Sequence, residues 1–239
     1  MFIPIGDDNS ARRRFPFFVY GIVALNAWFW YLQLTLGDGF TAGFSAIPAE
    51  IVGGIDLVNP TYVRIDGQRL DIPQAPGPSP IYLTLFSSMF MHGSWMHILG
   101  NMLYLLIFGD QIEDELGHIA FLLFYLGAGL FAAAAQIIVE PHSTIPCLGA
   151  SGAIAGVLGA YLFLHPSNRV RVLLYNRVIL VPAIIVLGMW GVAQVLGQVG
   201  SAAGKHSGVA YMAHLGGFVV GIVVGGFLQV GRKVQRARR

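Results

Sequence analysis

Residues 149–165 read GASGAIAGVLGAYLFLH, an apolar run rich in glycine and alanine that carries one serine near its start, Ser151. A second apolar run, residues 208–230, contains His214. A serine in a membrane helix is ordinary, whereas an ionisable side chain there is costly and indicates a functional site. The first question about this chain is therefore whether Ser151 and His214 meet inside a membrane.

The composition indicates an integral membrane protein. Of the 239 residues, 55% are hydrophobic and 11% are charged, and the mean hydropathy is +0.67. Soluble domains carry about 25% charged residues. A hydrophobic soluble protein with buried helices is the alternative, but the apolar runs are longer than a soluble core needs. The one cysteine, Cys147, leaves no internal disulfide and no CxxC metal or redox motif.

The predicted fold class is an all-α membrane protein, a bundle of six transmembrane helices. A helix crosses the hydrocarbon core of about 30 Å with about 20 residues, and lipid offers no partner for an unpaired backbone. The six runs are 15–36, 94–112, 118–139, 149–165, 177–198 and 208–230. The first run is too long for the apolar region of a signal peptide, so we interpret it as a retained span. The chain then divides into a cytoplasmic N-terminal segment (1–14), a six-helix domain (15–230) and a basic cytoplasmic tail (231–239), a stop signal and an anchor to anionic headgroups.

Positive charge predicts the orientation of these spans, because basic residues concentrate on the cytoplasmic side. If residues 1–14 are cytoplasmic, 11 of the 14 basic residues lie inside, and both termini do as well. The three that lie outside are Arg64, Arg69 and Lys205. The acidic residues Asp110, Glu113, Asp114 and Glu115 also fall inside, which conflicts only mildly because acidic residues weigh little in this rule.

The longest segment between spans, residues 37–80, is predicted to be an outer loop between the first two helices. Its prolines at 60, 73, 76, 78 and 80 exclude one long helix. Two short alternating stretches flank Asp66-Gly67, a dipeptide that favours a tight hairpin turn. A plain irregular loop is equally compatible with the sequence, since an isolated hairpin is marginally stable.

Polar residues on three of the spans fall at a similar depth below the outer face. His97 and Asn101 lie on one face of the second span, because they are four residues apart. Ser151 follows Pro146 by five residues, roughly 7 Å, and His214 lies roughly 9 Å into the sixth span. Unrelated buried histidines would scatter among depths and sides. An interhelical hydrogen bond is the alternative for Asn101, and it is the role we assign to Asn26, Gln136 and Gln194.

Glycines favour close contact between the fourth and sixth spans. Small residues spaced by four let two helix backbones approach closely, which a serine–histidine hydrogen bond requires. These glycines, predicted to give structural support, are Gly149, Gly152, Gly156 and Gly159 on one span and Gly217, Gly221 and Gly225 on the other.

The residue types predict a serine hydrolase that uses two residues. His214 can take the proton of Ser151 and later protonate a leaving amine. A carboxylate usually orients such a histidine, but the outer halves of the spans contain none. Glu140 lies in an outer loop and Glu113 at the opposite face. We therefore expect a Ser–His dyad that packing alone orients.

The developing oxyanion needs preorganised donors, and the candidates are the N–H of Ser151 and the side chains of Asn101 and His97. A zinc site of His92, His97 and His214 is the alternative chemistry. The sequence has neither the H-E-x-x-H pattern nor a carboxylate beside these residues, so no metal and no cofactor are expected.

Three ordered motifs resemble those of the rhomboid family of intramembrane serine proteases. They are HGSWMH at 92–97 leading to Asn101, GASG at 149–152, and AHLGG at 213–217 followed by Gly221. The resemblance covers about residues 15–230, and it implies a six-helix core with both termini inside.

The resemblance also implies roles for the matching positions. It implies that Ser151 is the nucleophile and His214 the general base, and that His97 and Asn101 line the oxyanion site. It implies a structural role for His92 and, for Glu113, that it fixes the cytoplasmic end of the second span. Two features depart from some members: Ala155 stands where an aromatic residue stacks on the histidine, and the outer loop lacks a Trp-Arg pair.

The expected function is cleavage of peptide bonds in or near the transmembrane segments of other membrane proteins. The expected partners are those substrates and the lipid bilayer, with no nucleic acid, and the expected location is a bacterial plasma membrane with the site open to the outer face. One alternative is a catalytically silent rhomboid-like protein that binds membrane clients. A transporter or channel is a third, which the spans do not favour because they show no inverted repeat of broken helices.

Overall fold

The computed structural model describes residues 2–10, 12–65, 68–203 and 208–237. The helices are α1 (Phe17–Leu36), α2 (Asp38–Gly43), α3 (Pro48–Gly53), α4 (Thr84–Ser87), α5 (Trp95–Leu116), α6 (His118–Val139), α7 (Ser151–Leu164), α8 (Ala183–Ala202) and α9 (Tyr211–Ala237). The strands are β1 (Phe2–Gly6), β2 (Thr61–Ile65), β3 (Gln68–Ile72), β4 (Arg169–Leu174) and β5 (Arg177–Pro182). The predicted turn Asp66-Gly67 and the basic residues Lys205, Arg238 and Arg239 lie outside the described residues.

The chain is mostly helical, and four of its described helices are long and apolar enough to cross a membrane. They are α1, α6, α8 and the Tyr211–Val230 part of α9, at 20 to 22 residues each. Helix α5 has 22 residues, with four acidic side chains near its C-terminal end. Helix α7 is the shortest of the six long helices, with 14 residues.

Helix α7 occupies the middle of the bundle. Every residue from Gly152 to Tyr161 is buried, and the helix contacts α5, α6, α8 and α9. A helix that is apolar on all sides is stable only when other helices surround it or when lipid does. Its first residue is Ser151, so the central helix of the bundle begins at the predicted nucleophile.

The prediction of an all-α fold is wrong at one end of the bundle, where β1, β4 and β5 form an antiparallel sheet in the order β1-β4-β5. Residues 169–172 alternate arginine with buried valine, the pattern of a strand with one covered face. Leu174 pairs with Arg177 across a two-residue turn, in which Tyr175 has a φ of 54°. The predicted span 177–198 therefore starts as a strand, and its helix runs from Ala183 to Ala202.

The segment between α1 and α5 contains a hairpin rather than a plain loop. Strands β2 and β3 pair antiparallel from Thr61↔Ile72 to Ile65↔Gln68. The segment also contains the short helices α2, α3 and α4. One of the two sequence alternatives, the hairpin, is thus the one observed.

The carboxylate of Glu113, near the end of α5, lies at the start of α1. It accepts hydrogen bonds of 3.1 Å and 2.9 Å from the backbone N–H groups of Phe18 and Val19, and its side chain is 0% exposed. The Nδ1 of His118 lies 2.6 Å from the same carboxylate. A carboxylate at a helix N-terminus satisfies otherwise unpaired donors and matches the helix dipole. Glu113 therefore joins α1, α5 and α6.

The other acidic residues of α5 also have basic or amide partners. Arg12 donates a 2.7 Å hydrogen bond to Asp110, and the backbone N–H of Arg14 donates to Asp114 at 2.8 Å. The segment before α1 therefore provides partners for two of the four acidic residues that conflicted with the charge rule, Asp110 and Asp114.

Candidate active site

Ser151 and His214 meet in the structure. The Ser151 Oγ lies 2.7 Å from the His214 Nε2, a hydrogen-bond distance. Ser151 is the first residue of α7, and His214 lies in the first turn of α9. The N–H groups of the first helical turn have no acceptor four residues earlier in their own helix, so those of α7 are available next to the serine hydroxyl.

Glycine packing between α7 and α9 brings the two residues together. A Cβ on Gly217 would overlap the carbonyl oxygen of Gly152, and a Cβ on Gly221 would overlap that of Gly156. Gly159 makes the reciprocal contact, because its own Cβ would overlap the carbonyl oxygen of Phe218. The two backbones thus touch over two turns directly below Ser151 and His214.

Gly152 also contacts a third helix. A Cβ there would lie 2.7 Å from the Cβ of Ala132 in α6, and one on Gly156 would lie 2.7 Å from that of Ala128. Both distances are well below van der Waals contact. These positions of α7 must therefore be glycine to keep α6 in place behind the site.

The other ring nitrogen of His214 contacts Gln194, for which the sequence analysis predicted an interhelical hydrogen bond without naming its partner. The His214 Nδ1 lies 2.7 Å from the Oε1 of Gln194 in α8. Trp190, one turn earlier in α8, has its ring centroid 5.9 Å from that of His214. Ala155 is buried within α7 and has no aromatic ring to place against His214. Gln194 and Trp190 lie beside the histidine instead.

His97 lies against the backbone that precedes the serine. Its Cε1 and Nε2 are so close to Gly149 that a Cβ there would lie 2.7 Å from both, and Gly149 has a φ of +121°. Both observations restrict this position to glycine. The His97 Nδ1 is 3.5 Å from the backbone N–H of Gly93, which donates to it. The N–H of a neutral ring is therefore on Nε2, beside Gly149.

Asn101 is held by His92. The Asn101 Nδ2 lies 2.9 Å from the His92 Nε2, and because an amide nitrogen only donates, the histidine accepts. This uses one of the two amide N–H bonds of Asn101, whose side chain also faces the cavity.

Gln33 of α1 holds His92 in turn. Its side chain accepts from the His92 N–H and donates to the His92 carbonyl, at 2.9 Å each. Sequence reasoning missed Gln33 and did not identify the partner of Gln194, because a single amide in an apolar run does not indicate its partner.

One cavity of about 610 Å³ lies at this site, and α5, α6, α7, α8 and α9 and the segment between α6 and α7 contribute to its lining. Ser151, His214, His97 and Asn101 all face it, and Trp190 forms part of its wall. Its size is that of a small-ligand or short-peptide site. The arrangement places a serine hydroxyl, an imidazole acceptor and several N–H donors around one space.

Comparison with known proteins gives the family. The Rhomboid domain matches residues 80–230 of this chain, which is more than half of its length. The chain belongs to the rhomboid family. Rhomboid proteins are membrane proteins, and the apolar helices α1, α6, α8 and α9 agree with that assignment.

Several rhomboid proteins are similar to it. Rhomboid protein 1, mitochondrial, of Saccharomyces cerevisiae is 31% identical over 164 residues, which are 66% of this chain and 45% of that protein. Rhomboid-like protein 11, chloroplastic, of Arabidopsis thaliana is 28% identical over 155 residues, 61% of this chain and 52% of that protein. Rhomboid protease GluP of Bacillus subtilis is 39% identical over 85 residues, 36% of this chain and 16% of that protein. The chain thus spans about half the length, or less, of these relatives.

His92, His97 and His214, the residues of the alternative zinc site, are not brought together as a ligand group in the described part of the chain. The Nε2 atoms of His92 and His214 contact Asn101 and Ser151, respectively. Within the described ranges, no three His, Cys, Asp or Glu side chains come close enough to hold one ion. Glu140 lines the same cavity, but the partner of His214 is the neutral amide of Gln194.

Proposed function

We propose that this protein is an intramembrane serine endopeptidase that works through a dyad of Ser151 and His214. The observation that carries the proposal is the 2.7 Å contact between the Ser151 Oγ and the His214 Nε2. The contact lies at the N-terminus of α7, in a cavity large enough for an extended peptide segment. The protease names of relatives such as GluP support the same activity.

The geometry supports a two-step acyl transfer. The His214 Nε2 accepts the hydroxyl proton while the Ser151 Oγ bonds to the scissile carbonyl carbon. The imidazolium then gives that proton to the leaving amine as the C–N bond breaks, which leaves an acyl-enzyme. A water molecule attacks the ester with His214 again acting as base, and the Ser151 Oγ leaves with the proton.

The oxyanion of each tetrahedral intermediate would be stabilised by donors on two helices. The backbone N–H of Ser151 is oriented along the axis of α7, so the dipole of that helix adds to its effect. The second amide N–H of Asn101 and the Nε2–H of His97 complete the set. His92 and Gln33 act behind Asn101, where they fix its orientation.

We also propose that the six long helices all span the bilayer, with the β1 end of the bundle in the cytoplasm. The basic residues favour this orientation, and His97, Ser151 and His214 all lie near the start of a helix at the opposite end. Water would then reach the cavity from the outer face. The bacterial plasma membrane remains a prediction, since the named relatives include organellar as well as bacterial proteins.

The proposed substrates are transmembrane proteins. Membership of the rhomboid family suggests substrates whose transmembrane helix unwinds easily, with small residues at the cut.

The test is cleavage of a synthetic transmembrane substrate by purified protein in liposomes. Ser151→Ala should abolish cleavage. Ser87→Ala is the matched control, because the Ser87 hydroxyl donates to the carbonyl of Phe44 and is not part of the dyad. Undiminished cleavage by Ser151→Ala would sink the proposal. Failure of a fluorophosphonate probe to label Ser151 in folded wild-type protein would favour the catalytically silent client-binding alternative.

A further inference from the structure

The contact between Gln194 and His214 has the geometry that selects one tautomer of the His214 ring. A neutral imidazole carries one N–H and one lone pair, on different nitrogens. Only a lone pair on Nε2 can take the Ser151 proton, so the ring proton must be on Nδ1. The Gln194 Oε1, 2.7 Å from Nδ1, can only accept a hydrogen bond and therefore stabilises the required form.

The backbone of α8 determines which end of the Gln194 amide faces the histidine. The amide Nε2 donates to the carbonyl oxygen of Trp190, four residues earlier, at 3.4 Å. The reversed amide would place two oxygens against each other at Trp190 and a donor against the His214 Nδ1. It would hold the ring proton on Nε2, where it would block proton transfer from Ser151. The orientation is thus fixed by the helix to which Gln194 belongs.

Trp190 restricts the plane of the ring that Gln194 orients. Its centroid lies 5.9 Å from that of His214 and 5.6 Å from that of Phe218, one turn later in α9. Rotation of the imidazole would move it against the indole. Trp190 and Gln194, one turn apart on α8, therefore contact the same histidine, one through its ring and the other through its Nδ1.

We infer that Gln194 is the third member of the catalytic arrangement, a positioning residue that sets the tautomer and the rotamer of His214. The inference rests on the proposed protease function. A neutral amide suits this place because a carboxylate would add a partly buried charge without a cationic partner before the reaction begins. The dipole of the Gln194 amide still favours the imidazolium that forms when Ser151 loses its proton.

The experiment compares Gln194→Leu, Gln194→Glu and the control Gln198→Leu, which makes the same change one turn further along α8. Gln194→Leu should lower kcat by about 10–100-fold and leave KM within about two-fold. This is less than the loss of about 10⁴ that follows when a triad carboxylate becomes an amide and holds the wrong tautomer. Gln194→Glu keeps an acceptor and should recover most of the rate. The acidic limb of its pH–rate profile should move to higher pH, because a carboxylate stabilises the imidazolium.

A measurement independent of turnover addresses the same point. In full-length protein labelled with ¹⁵N-histidine, the His214 ring should show the Nδ1–H tautomer at pH values high enough for the ring to be neutral. Gln194→Leu should give a mixture of both tautomers, and Gln198→Leu should match the wild type. Observation of the Nε2–H form in the wild type would overturn the inference.

The failure of this inference differs from the failure of the proposed function. If Gln194→Leu cleaves within two-fold of wild type with an unchanged pH profile, while Ser151→Ala is inactive, Gln194 does not position His214 and the protease assignment stands. If folded wild-type protein does not cleave at all, the proposed function fails, and the tautomer measurement still decides the role of Gln194.

Discussion

Gly217 lies so close to Gly152 that a Cβ on Gly217 would overlap the Gly152 carbonyl oxygen. Gly152 directly follows Ser151, and Gly217 follows His214 by three residues. The distance between the two backbones therefore determines the distance between the serine hydroxyl and the imidazole. The same contact that packs α7 against α9 positions the proposed dyad.

Gly217→Ala should separate α7 from α9 and lengthen the contact between Ser151 and His214. We expect fluorophosphonate labelling of Ser151 to slow by more than about 10-fold, with a loss of about 1–3 kcal/mol in the free energy of unfolding from overpacking. Gly127→Ala in α6 is the control, because among the described residues nothing beyond its chain neighbours and the backbone of its own helix lies within 4 Å of its Cβ position. Wild-type labelling by Gly217→Ala would show that the helices can move apart without affecting the site.

Asn101→Ala should remove one oxyanion donor. Loss of a single donor of this kind lowers kcat by about 10²–10³, with little change in KM. Asn26→Ala is the matched control, since the Asn26 amide donates to the carbonyl of Ile22 in its own helix and not, as the sequence analysis predicted, across helices. Steady-state kinetics on the synthetic substrate would check this. A change confined to KM would argue that Asn101 binds substrate and does not stabilise the oxyanion.

Glu113→Ala should leave the N–H groups of Phe18 and Val19 without acceptors. We expect a loss of about 2–4 kcal/mol in the free energy of unfolding, because unpaired buried donors cost about 1–3 kcal/mol each. Glu113→Gln keeps one acceptor oxygen and should lose less. Thermal unfolding in detergent would measure the stability of both Glu113 variants. Asp38→Ala, at an exposed position, is the control. Equal stability of Glu113→Ala and wild type would contradict the joining role of this carboxylate.

Asp7, between β1 and α1, should make stability depend on pH in an unusual direction. Burial raises the pKa of its carboxyl from the ordinary 3.8 to about 6, although a hydrogen bond from the Tyr161 hydroxyl opposes this. Between about pH 4 and pH 6 the folded state therefore holds a proton that the unfolded state has lost. The free energy of unfolding should fall as the pH rises through this window and level off above it.

Asp7→Asn removes the titrating group and should flatten the profile between pH 4 and pH 6. Unfolding of the variant and of wild-type protein at a series of pH values would check this. If the free energy of unfolding had the same slope against pH in both proteins, a group other than Asp7 would be responsible for the dependence.

Much of the fold could be predicted from local patterns. The apolar runs that became α1, α5, α6, α7, α8 and α9 are long, and their lengths alone indicate helices. The hairpin of β2 and β3 also has a local cause, the short alternating stretches around a turn dipeptide. Positions four apart on one helix share a face whatever surrounds them, which is why His97 and Asn101 could be placed on one side in advance.

The features that the sequence did not show depend on partners far along the chain. The apolar residues of β5 continue without a break into α8, so the hydropathy of residues 177–198 hides the boundary between strand and helix. Gln194 faces His214 only because packing against α9 sets the rotation of α8. The amide of Gln194 differs in no local respect from that of Gln198.

The pairing of β1 with β4 has a consequence for synthesis. Phe2 pairs with Leu174, so the two halves of this sheet leave the ribosome far apart in time. At about 5–20 residues per second, the partner strand follows roughly ten to thirty seconds later. The helices from α1 to α7 emerge in that interval, during which β1 has no partner strand. In nascent chains halted before Arg169, β1 should therefore be accessible to a protease. The chain length at which β1 becomes protected would show when this end of the bundle is complete.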